Sequence, residues 1–348
     1  MKNIYRLLTI TALAGLTLTS ANAGNKERTA QNGGNELLIN PWARSSGWGG
    51  INTASVRGLE SINGNIGGLA FTKKTEVIFA NTNYLQAADI SINNFGFAQK
   101  IGESGVLAAS VFSMNFGDIP ITREDQPEGG LGTYAPQFIT INLAYSKEFS
   151  NSIYGGIVVK AINENIANVK ASGFAIDAGI QYVAGSRNQM QFGIALRNVG
   201  PKMSFSGDGL SKRVIFDNGV PGTIQQRSQA FELPSLMNIG ASYDFQLAED
   251  HRLTTAGNFT SNSFTSDQFG LGVEYGFKSY LMVRGGYNYE SDIESQVNTL
   301  NLFTGFSAGA TFEIPLSDKG SNFGIDYSYR PTYVFGGSHT IGVRIDLN

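Results

Sequence analysis

The chain has 348 residues, a formal net charge of −3 and no cysteine. This excludes a disulfide-stapled domain, a thiol nucleophile and a lipid-anchored lipoprotein, and the mild acidity excludes a global basic footprint for nucleic acid. Glycine is abundant at 43 residues, aromatics reach 11% and charged residues only 15%, against about 25% charged in an ordinary soluble domain.

In chain order, Lys2 and Arg6 precede a short apolar run, Leu7 to Thr19, and then Ala21-Asn22-Ala23. This is the pattern of a secretory signal peptide over residues 1–23, cleaved between Ala23 and Gly24. A retained anchor is the other reading, but the run is too short to span a bilayer comfortably. Beyond it no run of 18 apolar residues occurs, so helical membrane spans are excluded.

Residues 24–73 show no strand pattern. A polar tail, Gly24 to Asn35, leads into Pro41-Trp42-Ala43-Arg44 and a glycine-rich stretch through Gly47, Gly49, Gly50, Gly58, Gly64, Gly67 and Gly68. The expectation is a plug or hatch folded into a lumen, the alternative a loose periplasmic tail; Trp42 and Trp48 favour packing.

From residue 74 to 348 the period is two. Phe174, Ile176, Ala178, Ile180 and Tyr182 alternate with Gly173, Ala175, Asp177, Gly179 and Gln181; Ile341, Val343, Ile345 and Leu347 alternate with Thr340, Gly342, Arg344 and Asp346. About fourteen such segments are predicted, at 74–83, 90–99, 105–116, 138–148, 153–164, 173–184, 189–199, 236–247, 252–261, 268–277, 281–290, 304–314, 322–330 and 339–347. Most are about ten residues long, the length a tilted strand needs to cross a membrane. The fold class is therefore all-β, a transmembrane antiparallel β-barrel of the outer membrane with an N-terminal plug. The two long connections, 117–137 and 200–235, fall at the same end, as barrels with short periplasmic turns and longer outer loops require. Tyr145, Phe149, Tyr182, Phe245, Tyr275 and Phe277 cluster towards one set of strand ends and Tyr287, Tyr289, Tyr333 and Phe335 towards the other, the pattern of interfacial girdles. The chain ends Thr340-Ile341-Gly342-Val343-Arg344-Ile345-Asp346-Leu347, in the form of a barrel-insertion signal without its usual terminal aromatic.

Catalytic and metal chemistry find little support. His251 and His339 fall at opposite ends of the predicted strands, so no zinc site or triad uses both. Glu124, Asp125 and Glu128 have no defined ligand spacing and read as a solvated acidic loop rather than a calcium site. Gly270-Leu271-Gly272 lies inside a strand, where glycine lets neighbours approach. No cofactor and no enzymatic activity are expected. The predicted inward face carries Lys160, Asp177, Arg197, Asp244, Arg252, Glu274, Arg284, Glu313, Asp326 and Arg344. Mixed signs suggest a salt-bridge network that braces the wall and holds a plug; a polar conduit is the functional alternative.

Several stretches resemble the PorV/PorQ family of Bacteroidota, itself similar to the fatty-acid transporter FadL. They are Ala43-Arg44-Ser45-Ser46-Gly47-Trp48-Gly49-Gly50, Asn65-Ile66-Gly67-Gly68-Leu69, Asn115-Phe116-Gly117-Asp118-Ile119, Gly155 to Lys160 with Ala175 to Gly179, Leu196-Arg197-Asn198-Val199-Gly200, and Leu233-Pro234-Ser235-Leu236 followed by Ile239-Gly240. The resemblance implies a fourteen-stranded barrel and places Asn65, Gly67, Gly68 and Leu69 in the hatch motif; Ile66 and Gly67 stand where that motif has proline and alanine. It also implies a role in type IX secretion, since the family's best-known member associates with the large SprA translocon barrel and receives exported cargo.

Three expectations follow: an outer-membrane partner in type IX secretion that contacts translocon or cargo, a FadL-like transporter of hydrophobic small molecules with lipid or detergent in the lumen, or a structural barrel or porin. The outer membrane supplies the lipid partner in each.

Overall fold

The computed structural model describes residues 26–29, 31–278, 280–291, 293, 301–317 and 320–348. The expected signal peptide and its Ala23–Gly24 cleavage point lie outside the described residues.

Eighteen strands occur among the described residues. In the first half they are β1 (Thr75–Leu85), β2 (Ile90–Ile101), β3 (Gly105–Asn115), β4 (Ile119–Pro120), β5 (Thr133–Tyr134), β6 (Gln137–Ser150), β7 (Ile153–Ile166), β8 (Val169–Ala184) and β9 (Met190–Val199). In the second half they are β10 (Ser211–Ile215), β11 (Pro221–Gln225), β12 (Leu236–Ala248), β13 (His251–Asn262), β14 (Gln268–Phe277), β15 (Leu281–Glu290), β16 (Phe306–Pro315), β17 (Asn322–Arg330) and β18 (Ser338–Leu347). All but β4, β5, β10 and β11 form one closed antiparallel barrel of fourteen strands. The seam is made by β1 and β18 in continuous register, from Thr75 opposite Leu347 to Asn83 opposite His339. Closure leaves the ring without a sheet edge, which a hydrocarbon environment demands because unpaired backbone groups have no water there.

Period two explains which face is which. In β8 the apolar Phe174, Ile176, Ile180 and Tyr182 are exposed, while Ala175, Asp177, Gln181 and Val183 between them are buried. Leu271 is 74% and Phe306 60% exposed, although both sit in strands of the ring. Apolar residues on the outer surface and Asn94, Ser110, Asn142, Thr311, Ser328 and Thr340 buried on the inner one invert the soluble-protein pattern and mark the outside as lipid-facing. The fourteen expected segments all form barrel strands.

The outer end departs from expectation in two ways. The stretch 165–172, between the predicted strands 153–164 and 173–184, is mostly strand, because β7 and β8 continue as a hairpin turning at Ala167 (φ 49). The two long loops carry their own ribbons, β4 paired with β5 and β10 paired with β11. The second ribbon turns through Asp217-Asn218-Gly219, with Gly219 at φ 77.

The segment before β1 runs the height of the barrel. Residues 26–29 and 31–38 lie among outer-loop residues, with Gly33 N donating to Glu232 O at 3.0 Å. Ile39 packs against Ile92, Phe112 and Met114 near the outer ends of β2 and β3. The short helix Ala43–Gly47 lies against β15 to β18, and the turns Gly58–Asn63 and Ile66–Phe71 against β1, β2, β3 and β6 to β8. Phe71 ends the descent against Tyr154 at the opposite mouth (ring centroids 4.1 Å apart). Contacts with both halves of the ring place this segment in the lumen. Its Trp42, Leu59, Ile62, Ile66 and Leu69 form one apolar cluster with Ile78, Ala98, Val106, Ala144 and Val158 of the wall.

Candidate functional site in the lumen

The site is built where the luminal segment meets the wall. Small wall residues make the seat. A Cβ on Gly96 would lie 2.7 Å from Leu59, on Gly270 2.6 Å from Ile51, and on Gly272 2.8 Å from Trp48. The inner wall is therefore glycine-rich where the segment needs close approach. The converse holds at Gly67, where a Cβ would sit 2.8 Å from the backbone N of Gln181 and 2.9 Å from Tyr154 O.

Polar bonds fix the seat. Asn65 is fully buried; its amide donates to Thr53 O (3.1 Å) and to Ile180 O in β8 (2.9 Å), and its carbonyl accepts from Gly67 N (3.1 Å). Gln181 donates to Thr53 O and Val56 O. Gly68 and Leu69 are buried in the same turn. Glu60 accepts from Ser45 N and Oγ, and Glu76 from Leu59 N. Burial, opposed in part by Arg44, raises the pKa of Glu60 above the ordinary carboxylate range.

Eight of the ten charged residues expected on the inner face are buried: Lys160, Asp177, Arg197, Glu274, Arg284, Glu313, Asp326 and Arg344. They form two clusters. In the first, Lys160 Nζ lies 2.6 Å from Asp177, with Arg197 Nε 4.0 Å from the same carboxylate. Asn198, in left-handed conformation (φ 59), donates its N–H to Asp177 at 2.7 Å and accepts from Lys160 at 2.7 Å. Its amide reaches Pro234 O (3.2 Å) and Leu37 O (3.4 Å). In the second cluster Arg284 and Arg252 each bond Glu274 at 2.8 Å, Arg284 donates to Thr311, Thr311 to Asp326, and Arg344 to Glu313.

Arg44 of the luminal segment enters this second cluster, 2.9 Å from Glu313 and 3.7 Å from Asp326. Burial works against its charge, but Asp326 and Glu313 outweigh it and hold its pKa above the usual arginine value. The last two expected residues, Asp244 and Arg252, are only half-buried and line the periplasmic side, where Asp244 accepts from Thr254 and Gln191.

Arg44, Glu60, Glu76, Gln181 and Asn198 were absent from the charge pattern read in the sequence. Arg44 and Asn198 stand inside quoted motifs, and Gln181 and Glu76 sit at inward positions of recognised strands; those were the available signals. Glu60 had none.

Beneath the luminal segment lie two polar cavities of about 590 and 180 Å³ that share Arg252 and Met282. The larger is bordered by the periplasmic residues Glu249, Asp250 and Lys278, the smaller by Arg44, Arg57, Glu60 and Glu274. Their linings are charged, unlike the apolar walls that bind hydrophobic small molecules. His251 and His339 each meet a tyrosine hydroxyl, of Tyr275 and Tyr327, at opposite ends of the wall. Glu124, Asp125 and Glu128 are exposed.

A family model for the type IX secretion system protein PorV matches residues 22–265. No curated protein matches the chain. Among solved structures, a FadL homologue of Pseudomonas aeruginosa is similar at TM-score 0.52 and 11% identity over 89% of this chain and 98% of that one. The toluene transporter TbuX of Ralstonia pickettii is similar at TM-score 0.51 and 12% identity over 87% of this chain and 96% of that one. At such identities the likeness speaks for the fold: an outer-membrane barrel of the FadL-like type.

Proposed function

Since the chain belongs to the family of the type IX secretion system protein PorV, we propose that it serves that system through protein contacts of its outer loops, with residues 24–73 acting as a plug and hatch. Outer-membrane placement follows from the barrel and the family. The observation that carries the contact role is the ribbon of β10 and β11. Ile215 is 77%, Val220 53% and Phe216 47% exposed at its tip, outside the lipid-facing wall and within the longest outer loop. Apolar side chains displayed together on a long loop mark a surface that another protein covers. The second outer loop, 117–137, shows Ile119 and Leu131 in the same way.

The charged, occupied lumen supports a protein-binding role over carriage of hydrophobic molecules. Arg44 bonded to Glu313 and Asn65 bonded to Ile180 O tie the plug to the wall on opposite arcs of the ring. The role requires binding and no catalysis.

The test is an affinity capture from native membranes with the tag placed in the short outer connection 331–337, away from both long loops, and the C-terminus left free. Enrichment of a very large translocon barrel, or of exported proteins with C-terminal secretion domains, is the expected result. A clean barrel carrying only lipid would transfer the assignment to transport of hydrophobic small molecules.

A further inference from the structure

Arg57 stands near the periplasmic end of the luminal segment, and the backbone on both sides of it is fixed. Val56 O accepts from Gln181 at 2.9 Å, and Leu59 N donates to Glu76 at 2.8 Å. The Arg57 guanidinium lies 3.9 Å from the Phe71 ring centroid, which lies 4.1 Å from that of Tyr154. Stacking holds the face of the guanidinium and leaves its N–H edge open. Among the described residues no carboxylate pairs with Arg57; Asp244 and Arg252 act on it only at longer range. Burial inside the ring lowers its pKa below the usual arginine value, more than Asp244 restores, and the Arg252 charge adds to the fall.

The surroundings have spare donors and few spare acceptors. Arg57 is exposed to the 180 Å³ chamber, which Arg44 and Arg252 also border. Arg44 is committed to Glu313 and Asp326. Arg252, in β13, shares Glu274 with Arg284 and keeps a half-buried side chain on both chambers. The carboxylates are engaged: Asp244 accepts from Thr254 and Gln191, and Glu60 from Ser45. One arginine of the luminal segment and one of the wall thus face the same small chamber, and guanidinium edges match the oxygens of carboxylate and phosphate groups.

We propose that Arg57 and Arg252 form a binding site for a small oxyanion, a carboxylate or phosphate group that enters from the periplasmic mouth. The 180 Å³ chamber takes the charged group, and the 590 Å³ chamber adjoining it at Arg252 and Met282 takes the rest of the molecule. The larger chamber lies within the roughly 300–1,000 Å³ of small-molecule sites. Its lining includes Gln246, Lys278 and Asn322, so the molecule is hydrophilic rather than a lipid or hydrocarbon. The bound anion bridges the luminal segment to β13 and fastens the segment where the protein supplies Arg57 with no ion pair. Neither the site nor its test depends on the secretion partner proposed above.

The test is isothermal titration of the purified protein in detergent at constant ionic strength. Sodium phosphate and sodium succinate are the probes and sodium chloride is the reference. Saturable binding of at least one probe is expected, weakened at least tenfold in Arg57→Gln and in Arg252→Gln. Binding should be unchanged in Arg187→Gln, which alters an exposed arginine of a periplasmic turn. Heat-modifiable migration verifies the fold of each variant. The tighter probe tells whether the site takes an inorganic or an organic anion. Either bound probe should also slow proteolysis within residues 43–71 of the native chain, and not of Arg57→Gln. No saturable binding, an equal response to chloride, or undiminished binding in Arg57→Gln overturns the site. Loss in Arg57→Gln with full binding in Arg252→Gln overturns the bridge between segment and wall.

Discussion

At the scale of single residues, the cost of a change depends on what it leaves behind. Lys160 is fully buried and its charge is matched by Asp177 and by the carbonyl of Asn198. Removing it with Lys160→Met strands a carboxylate whose remaining close cation is Arg197 at 4.0 Å. A loss of about 3–5 kcal/mol is expected in urea unfolding, as for other broken buried pairs. Adding Asp177→Asn should recover part of it, because the amide oxygen still accepts from Asn198 N and the stranded carboxylate is gone, while buried Arg197 keeps its bond to Leu37 O but loses its carboxylate. A double variant no more stable than the single one would refute this account. Gly67→Ala tests the seat differently. The added methyl meets the backbone of β7 and β8, which cannot swing aside as a side chain can. It should loosen the luminal segment while leaving the strand ladders intact, read as faster proteolysis within residues 43–71. Lys160 and Asp177 belong to the inward charge pattern read in the sequence, whereas Gly67 and Asn198 stood only inside quoted motifs. Asn198 carries no charge, and its importance comes from a left-handed backbone that turns its N–H towards Asp177.

At the scale of elements, the strands were legible one by one, whereas residues 24–73 were legible only as a non-strand segment expected in a lumen, for one physical reason. A strand in a lipid-facing wall has two solvents, hydrocarbon and lumen, and alternation writes both into the local sequence. The luminal segment has one partner per residue, dispersed over strands distant in sequence, so it shows only composition: glycine for close approach and two buried tryptophans. Its path from outer mouth to periplasmic mouth is a property of tertiary contacts. The β10–β11 ribbon is an intermediate case, since its Asn218-Gly219 turn was a usable hairpin signal. At this scale the outer-mouth end of the luminal segment, residues 31–39, should also respond to pH. Glu36, buried against Glu164, has no ion-pair partner among the described residues. Burial first, and then the Glu164 charge, raises its pKa from the ordinary 4.5 to about 8. A raised acid favours the docked state while protonated. Its contribution is full below about pH 4.5, declines as pH rises, and is gone once Glu36 ionises in place near pH 8. Limited proteolysis of residues 31–39 should accelerate between pH 6 and roughly 9, and Glu36→Gln should flatten that profile. An unchanged profile in Glu36→Gln would assign the pH response to another group.

At the scale of the whole molecule, barrel, luminal segment and loops have separable energetics. The barrel is held by fourteen strand pairings and the luminal segment by two charge clusters and an apolar core. The β10–β11 ribbon pairs chiefly with itself, and Gln226 N to Leu210 O closes its base. Its tip residues Ile215, Phe216 and Val220 are exposed and contribute no burial to the barrel. Replacing residues 211–225 by a short polar turn should therefore leave the urea midpoint and heat-modifiable migration unchanged. If the ribbon is the contact surface, the same variant should lose partner capture almost completely, because hot-spot energy concentrates in a few apolar side chains. The opposite pattern is expected for Arg44→Ala. That change leaves Glu313 and Asp326 to Arg344 and Thr311, frees the luminal segment from one arc of the wall, and leaves the outer loops intact. Capture should persist, while single-channel recording shows transient openings not seen with the native chain. Loss of capture in Arg44→Ala with a closed pore would mean that partner and plug share one state, which would make the plug part of the recognition surface rather than a seal beneath it.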